Sequence, residues 1–430
     1  MMEDGQQEIP GGMGAARSGD LLSRLAIGVV AVIAGAAGIA GGNQLAAPLP
    51  RIHAVSRQSV TVTLPGSPLQ IPAAATGSED VALSDGRTLL AVNAHTPFPT
   101  GSVAKVMTAY LVLAAHPLTA TSEGPTLVMT SRDVGFYTST VREDGSNVPV
   151  QLGEHLTERQ LLLGLMLPSA NNLALTLGVW VSGSDAAFVQ RMNATAAKLG
   201  MKDTHFADPS GYSPDTVSSA ADLVVLGTHA MALPSFRSIV DTVSTPFPVV
   251  GTLTNLNEYL GVIPGWNGVK TGWTGAAGGC LMFSATRSVD GQQETVVGAV
   301  LGQKPDAAAY PAQPELGTAF LLAKEAVDGI FQEIRTVSLG SIMVRLDPQA
   351  KVPWETVPLR TGSTSRMLVG IAGDSLKVGL QDMPKAVPAG KGATVGELSV
   401  QDGTERLGSV PLQPARNVGR PSILWKLLHG

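Results

Sequence analysis

A serine followed three residues later by a lysine, Ser102-Val-Ala-Lys105, is a pair able to do nucleophilic chemistry. A serine hydroxyl is a poor nucleophile until a neighbouring base takes its proton, and a neutral lysine can act as that base. The spacing of three puts both side chains on one face of a helix. Lysine is ordinarily protonated at neutral pH, so its pKa has to be depressed, and burial or a second cation would each do this. Lys270-Thr271-Gly272 offers such a cation, and Ser169-Ala170-Asn171 lies between the two motifs. Ser169 could relay a proton to a leaving amine, and Asn171 could hydrogen-bond a substrate amide. Thr271 could bind the carboxylate end of a substrate, with Lys270 supplying positive potential and Gly272 leaving room for substrate against the strand. Each motif has a plainer reading: an N-cap serine with a solvated lysine, a capped turn between helices, a glycine-flanked turn. S-x-x-K, S-x-N and K-[ST]-G each occur once, in this order. Together they favour the chemical reading.

The elements that must position these residues are legible nearby. Val103, Met107, Tyr110, Leu111 and Ala114 recur at the helical period, with Thr100-Gly101-Ser102 as small capping residues before them. Backbone N–H groups at that helix start can stabilise a developing oxyanion. A second helical stretch, 157–180, is interrupted at Pro168, so that Ser169 and Asn171 fall on a break that a loop can present to a cleft. Another helix is predicted from Asp185 to Leu199, stopping at Gly200. A hairpin at Asp85-Gly86 opens the folded sequence near Val81, and strands are predicted at Leu281–Ala285 and Thr295–Leu301, followed by a helix at 315–331. From about 336, short alternating segments at Ser341–Leu346, Arg366–Ile371, Leu376–Leu380 and Thr394–Val400 predict a smaller all-β domain.

With 430 residues the chain can form two domains, and its 44% hydrophobic content is that of a globular protein. A formal charge of −5 gives no electrostatic reason to expect nucleic acid as a partner. The seven histidines show no H-x-x-x-H pair, and no metal or other cofactor is expected. Cys280 is the only cysteine, which rules out an intramolecular disulfide; its apolar neighbours predict a buried core thiol. Between Leu25 and Pro50 there is no charged side chain, and residues 25–42 read as the apolar part of a secretion signal or a membrane anchor after a polar leader. The Pro-, Ser- and Thr-rich stretch 43–79 reads as a linker. The expected organisation is therefore 1–42 leader and signal or anchor, 43–79 linker, 80–335 main domain and 336–430 β-rich domain.

The motif set resembles that of β-lactamases and penicillin-binding proteins, and more specifically the low-molecular-mass D-alanyl-D-alanine carboxypeptidases. Leu165-Met-Leu-Pro-Ser-Ala-Asn-Asn172 resembles their second-motif helix. Met192–Met201, Thr204–Gly211 and Ser218–Leu223 resemble a stretch associated with this family, as does Gly268-Val-Lys-Thr-Gly272 with Ala277-Gly-Gly-Cys-Leu281. The resemblance implies a transpeptidase-like α/β (α+β) fold, with an antiparallel sheet and a helical subdomain, ahead of the small β-rich domain. It implies Ser102 as nucleophile, Lys105 as general base, and Ser169 and Asn171 as relay and substrate contacts. Lys270 and Thr271 would hold the terminal carboxylate, and the backbone N–H groups of Ser102 and Trp273 would form the oxyanion hole. The implied substrate is a peptidoglycan stem peptide ending in D-Ala-D-Ala, with β-lactams as covalent inhibitors, at the outer face of the cytoplasmic membrane of a bacterial envelope. Cleavage of cross-links (D,D-endopeptidase) and a catalytically silent penicillin-binding scaffold are the alternatives. The sequence departs from the pattern at one point: many family members carry an arginine after the strand matching Val296–Leu301, and Gly302–Tyr310 contains none, with Lys304 a poor geometric substitute.

Overall fold

The computed structural model describes residues 51–430, apart from 56–59, 67–70, 337–344, 349–356, 362–368, 427–430 and several single residues and pairs, together with residues 39, 42 and 43. The expected leader and apolar segment therefore lie almost wholly outside the described residues. The chain forms two compact units, one comprising Thr63–Val337 with Leu368–Ser375, the other Met1–Val62, Ser338–Met367 and Leu376–Gly430.

The first unit holds every motif named above. Its five-stranded antiparallel sheet is built from β1 (Ser78–Leu83), β2 (Thr88–Val92), β3 (Trp266–Thr274), β4 (Gly278–Val289) and β5 (Gln292–Gln303), in the order β3-β4-β5-β1-β2. The β1–β2 connection turns at Asp85-Gly86, as predicted, with Gly86 at φ +94°. The helices are α1 (Lys105–Ala115), α2 (Ser131–Arg142), α3 (Glu158–Met166), α4 (Asn171–Ser182), α5 (Asp185–Leu199), α6 (Ala220–Met231), α7 (Pro234–Val240) and α8 (Gly317–Glu333).

Side chains alternate across the sheet. Leu281, Phe283 and Ala285 of β4 and Val296 and Val300 of β5 face α8, packing on its Phe320, Ala323 and Val327. Cys280, Met282, Val297, Ala299 and Leu301 face the other way, into a second core shared with the remaining helices. Because both faces are covered, the strands read as unbroken apolar runs. Cys280 is fully buried, as predicted, and burial pushes its thiol up to about 12. Each fully buried Leu, Val or Phe contributes about 1.5–3 kcal/mol through surface removed from water.

Local signals fix the helix ends. Thr157 and Gln160 form a reciprocal capping box at the start of α3, and Thr130 with Asp133 does the same for α2. Asp133 also accepts a hydrogen bond from Thr176 Oγ1 at 2.8 Å, tying α2 to α4. Ser184 caps α5, which ends at Gly200 in the left-handed conformation (φ +80°).

The second unit contains a seven-stranded sheet in the order 52–55, 345–348, 357–361, 405–414, 396–402, 375–382, 60–63. Leu376, Val378, Leu398, Val400, Val410 and Leu412 are buried in it at the alternating positions a one-faced sheet requires. Two expectations are corrected. Residues 52–55 and 60–63, read as linker, are strands of this sheet; Ile52–Val55 pairs antiparallel with Arg345–Pro348. Residues 369–371, read as part of the β-rich domain, instead pair with 334–336 inside the first unit. In both cases the pairing partner, distant in sequence, decides the assignment.

Candidate active site

Ser102 stands on a single 3-10 turn, Gly101–Ala104, that runs directly into α1. The expected capping of this turn is not realised: the Thr100 hydroxyl donates instead to the Gly101 carbonyl at 3.1 Å. Lys105, the first residue of α1, is fully buried, which sets aside the solvated-lysine reading. Its Nζ lies 2.7 Å from Ser102 Oγ, 2.7 Å from Asn171 Oδ1 and 3.0 Å from the Ser210 carbonyl oxygen. Burial holds its pKa well below the ordinary lysine value; the charge of Lys270 adds to the depression and Asp208 partly opposes it.

This coordination orients the lysine. A neutral amine has two hydrogens and one lone pair. The Ser210 carbonyl and Asn171 Oδ1 can only accept, so they take the two hydrogens and leave the lone pair directed at the Ser102 hydroxyl. The result is an amine lone pair aimed at a serine hydroxyl.

Ser169 sits on the break between α3 and α4, 2% exposed, at φ +69°. That left-handed conformation costs a non-glycine residue about 1–3 kcal/mol and persists only where the surroundings impose it. They do so here: the Leu167 amide donates to Leu163, the Leu167 carbonyl accepts from Leu256, and the Ala170 and Asn171 amides donate to Gly164 and Ser146. The Ser169 hydroxyl has no hydrogen-bond partner among the described residues, and α4 begins without a side-chain cap. A buried, strained serine with a free hydroxyl fits a reacting group far better than a capping residue.

Lys270, Thr271, Gly272 and Trp273 lie on β3, the edge strand of the sheet, opposite Met282, Leu281, Cys280 and Gly279 of β4. Lys270 is 1% exposed, donates to the Thr271 carbonyl at 3.1 Å, and is lowered to about 7 by burial. Thr271 is buried, and Trp273 is half exposed. Gly272 is required by close approach: a Cβ there would lie 2.8 Å from the Thr100 carbonyl oxygen and 3.0 Å from the Ser102 amide nitrogen. The strand therefore lies directly against the turn that carries Ser102. All eight residues singled out from the sequence fall within the first unit, and their motifs converge on this turn.

Sequence reasoning missed the loop 206–216. Asp208 Oδ2 accepts from the Ser210 amide (3.1 Å), the Ser210 hydroxyl and the Tyr212 amide (3.0 Å), while Oδ1 accepts from Thr216 Oγ1 at 2.6 Å. This network sets the Ser210 carbonyl that receives Lys105. Gly211 follows at φ +76°, where a Cβ would fall 1.8 Å from the Gly101 carbonyl oxygen. The run Asp208-Pro-Ser-Gly211 was visible as part of the resemblance, but a backbone carbonyl has no sequence signature. In the segment that lacks the arginine, Gln303 is buried and its amide donates to the Thr76 and Leu301 carbonyls, while Lys304 is exposed.

The constellation has the parts that a serine-type acyl-transfer site requires: a serine hydroxyl, a buried amine aimed at it, and backbone amides beside it. A family model for D-alanyl-D-alanine carboxypeptidase (peptidase family S11) matches residues 74–304. The chain is 34% identical over 244 residues to the D-alanyl-D-alanine carboxypeptidase of Streptomyces sp. strain K15, covering 53% of this chain and 80% of that one. It is 28% identical over 207 residues to the carboxypeptidase DacF of Bacillus subtilis and spans about half of that relative's length (47% of this chain, 51% of the relative). The crystal structure of the Streptomyces K15 DD-transpeptidase superposes with a TM-score of 0.52 at 28% identity, covering 60% of this chain and all of that one (100%). The protein belongs to the D-alanyl-D-alanine carboxypeptidase family of serine peptidases.

Proposed function

We propose that this protein is a D-alanyl-D-alanine carboxypeptidase that removes the terminal D-alanine of peptidoglycan stem pentapeptides through an acyl-enzyme on Ser102. The observation that carries the proposal is the buried Lys105, aimed at Ser102 Oγ from 2.7 Å. The proton of Ser102 passes to Lys105 Nζ as Oγ bonds the carbonyl carbon of the penultimate residue. The backbone N–H groups of Ser102 and Trp273 stabilise the resulting oxyanion. The C–N bond then breaks, and the leaving amine takes a proton from Lys105 through Ser169. Water attacks the ester as Lys105 takes its proton; the C–Oγ bond then breaks, and Lys105 returns that proton to Ser102 Oγ. Lys270 and Thr271 receive the substrate carboxylate, whose charge favours the protonated form of Lys270 and so adds to the attraction. β-Lactams would be trapped at the acyl-enzyme. The uncharged stretch before residue 50 and the substrate's location support export to the outer face of a bacterial cytoplasmic membrane.

One observation favours a second reading. With Gln303 engaged by backbone carbonyls and no arginine beside it, the grip on a free terminal carboxylate is reduced, which suits cleavage of cross-linked peptides. The first test is gel detection of covalent labelling by a fluorescent penicillin, comparing wild type with Ser102→Ala and Lys105→Ala. Labelling of wild type alone is the expected outcome, with D-alanine release separating the two substrates. Normal labelling of the Lys105→Ala variant at neutral pH would remove the lysine from the mechanism.

A further inference from the structure

Lys105 takes its two acceptors from segments far apart in the chain: Asn171 opens α4, and Ser210 lies in the loop 206–216. Each segment is fixed separately. Thr108 Oγ1 of α1 donates to the Pro209 carbonyl at 2.7 Å, and the Asn193 side chain of α5 bonds both the amide and the carbonyl of Phe206. These contacts hold the loop. The start of α4 is clasped instead by residues 143–148. The Asn171 amide donates to the Ser146 carbonyl at 2.7 Å, and the Asn172 side chain bonds both the amide and the carbonyl of Val148. Gly145 closes the clasp, since a Cβ there would fall 2.9 Å from Asn171 Nδ2.

One side chain joins the two segments. The Tyr212 hydroxyl donates to the Glu143 carbonyl at 2.6 Å, just beyond α2. Among the described residues this is the single hydrogen bond between 143–148 and 206–216. At its other end the tyrosine is anchored beside Ser210. Its amide donates to Asp208 Oδ2 at 3.0 Å, the oxygen that also receives the Ser210 amide and hydroxyl. Tyr212 thus ties the turn whose carbonyl takes one lysine hydrogen to the clasp around the side chain that takes the other.

A neutral amine has one lone pair, so the places its two hydrogens go decide where that pair points. A reacting group displaced by about 1 Å can lose about a hundredfold in rate. We infer that the Tyr212 hydroxyl is a positioning group for acylation: by bonding the Glu143 carbonyl it fixes the gap between the Asn171 and Ser210 acceptors, and so keeps the lone pair of Lys105 on Ser102 Oγ. The inference rests on the acyl-enzyme reading above and deepens it. Because the hydroxyl is engaged with backbone, its removal acts on the bond-forming step and leaves initial binding alone.

The test is the rate of acylation by a fluorescent penicillin over a range of concentrations, which separates the limiting rate from the half-saturating concentration. It compares wild type, Tyr212→Phe, Asn171→Ala and the double variant. Tyr212→Phe keeps the half-exposed ring and removes only the hydroxyl. Loss of one neutral hydrogen bond should lower the limiting rate about three- to tenfold, with half-saturation unchanged. In the Asn171→Ala background, where one acceptor is already gone, the same change should have almost no further effect. Glu143→Ala keeps the carbonyl and should acylate as wild type does. Rates are referred to the fraction of protein labelled at completion, so that a poorly folded variant does not imitate a slow one. An unchanged limiting rate in Tyr212→Phe, a raised half-saturation at constant limiting rate, an equal loss in both backgrounds, or an equal loss in Glu143→Ala would each overturn the positioning role alone. Wild type that takes no label would overturn the acyl-enzyme reading, and this inference with it.

Discussion

Replacing Asn171 with aspartate tests whether acylation depends on a neutral Lys105. Asn171 Oδ1 accepts a hydrogen bond from Lys105 Nζ at 2.7 Å, and Lys105 has no exposed surface, so solvent screens the pair little. An anion at this site favours the ammonium form. At a charge separation near 4 Å and an effective dielectric of about 20, the interaction is about 4 kcal/mol. One pKa unit corresponds to about 1.4 kcal/mol, so the lysine should rise by about three units. Below its pKa the neutral fraction of the amine falls tenfold per pH unit, so the acidic limb of the acylation profile should move up in pH by that amount. At any pH on the acidic limb of both proteins the rate of acylation by a fluorescent penicillin should fall about a thousandfold, recovering about tenfold per pH unit. Asn171→Ala removes the acceptor without adding charge and should lower the rate with a far smaller displacement of the limb. The measurement is the second-order acylation rate from pH 6 to 10 for the three proteins. Superimposable limbs for the aspartate and alanine variants would refute the idea that a neutral Lys105 is the base.

Two further predictions concern the framework. Gly211→Ala forces a Cβ into the Gly101 carbonyl, whereas Gly183→Ala has the same sign of φ (+79°) but open space around it. The second should cost about 1 kcal/mol from backbone conformation alone, and the first should cost more and also slow penicillin acylation, as read by thermal melts and labelling rates. Glu79 on β1 is fully buried, and burial, partly opposed by a hydrogen bond from the Ala74 backbone and reinforced by Glu325, raises it from 4.5 to about 7. The folded state therefore holds a proton that the unfolded state loses, so stability falls as pH rises from about 4.5 to 7, by about 3 kcal/mol for this group. Glu79→Gln should match wild type near pH 4.5 and melt about 6–12 °C higher at pH 8; an unchanged difference between the two pH values would contradict this.

Much of the site was legible because it is local. A serine and a lysine three residues apart at a helix start must face the same way, and Pro168 must interrupt the helix that precedes Ser169. The apolar run Cys280-Leu-Met-Phe283 announced a buried thiol and the strand that begins there. The short strands at 52–55 and 60–63 were not legible, since a Thr-, Ser- and Pro-rich stretch gains its pairing from residues near 345 and 380, and no local period reports that.

The sequence by itself determined the candidate groups and the turns on which they stand, because backbone geometry over three or four residues follows from residue type. Only the tertiary structure decided what those groups are chemically. Lys105 is fitted to act as a base because folding buries it, brings Lys270 close, and spends its two hydrogens on Asn171 and on the Ser210 carbonyl. Desolvation and charge proximity depend on distances through space, and residues far apart along the chain set them.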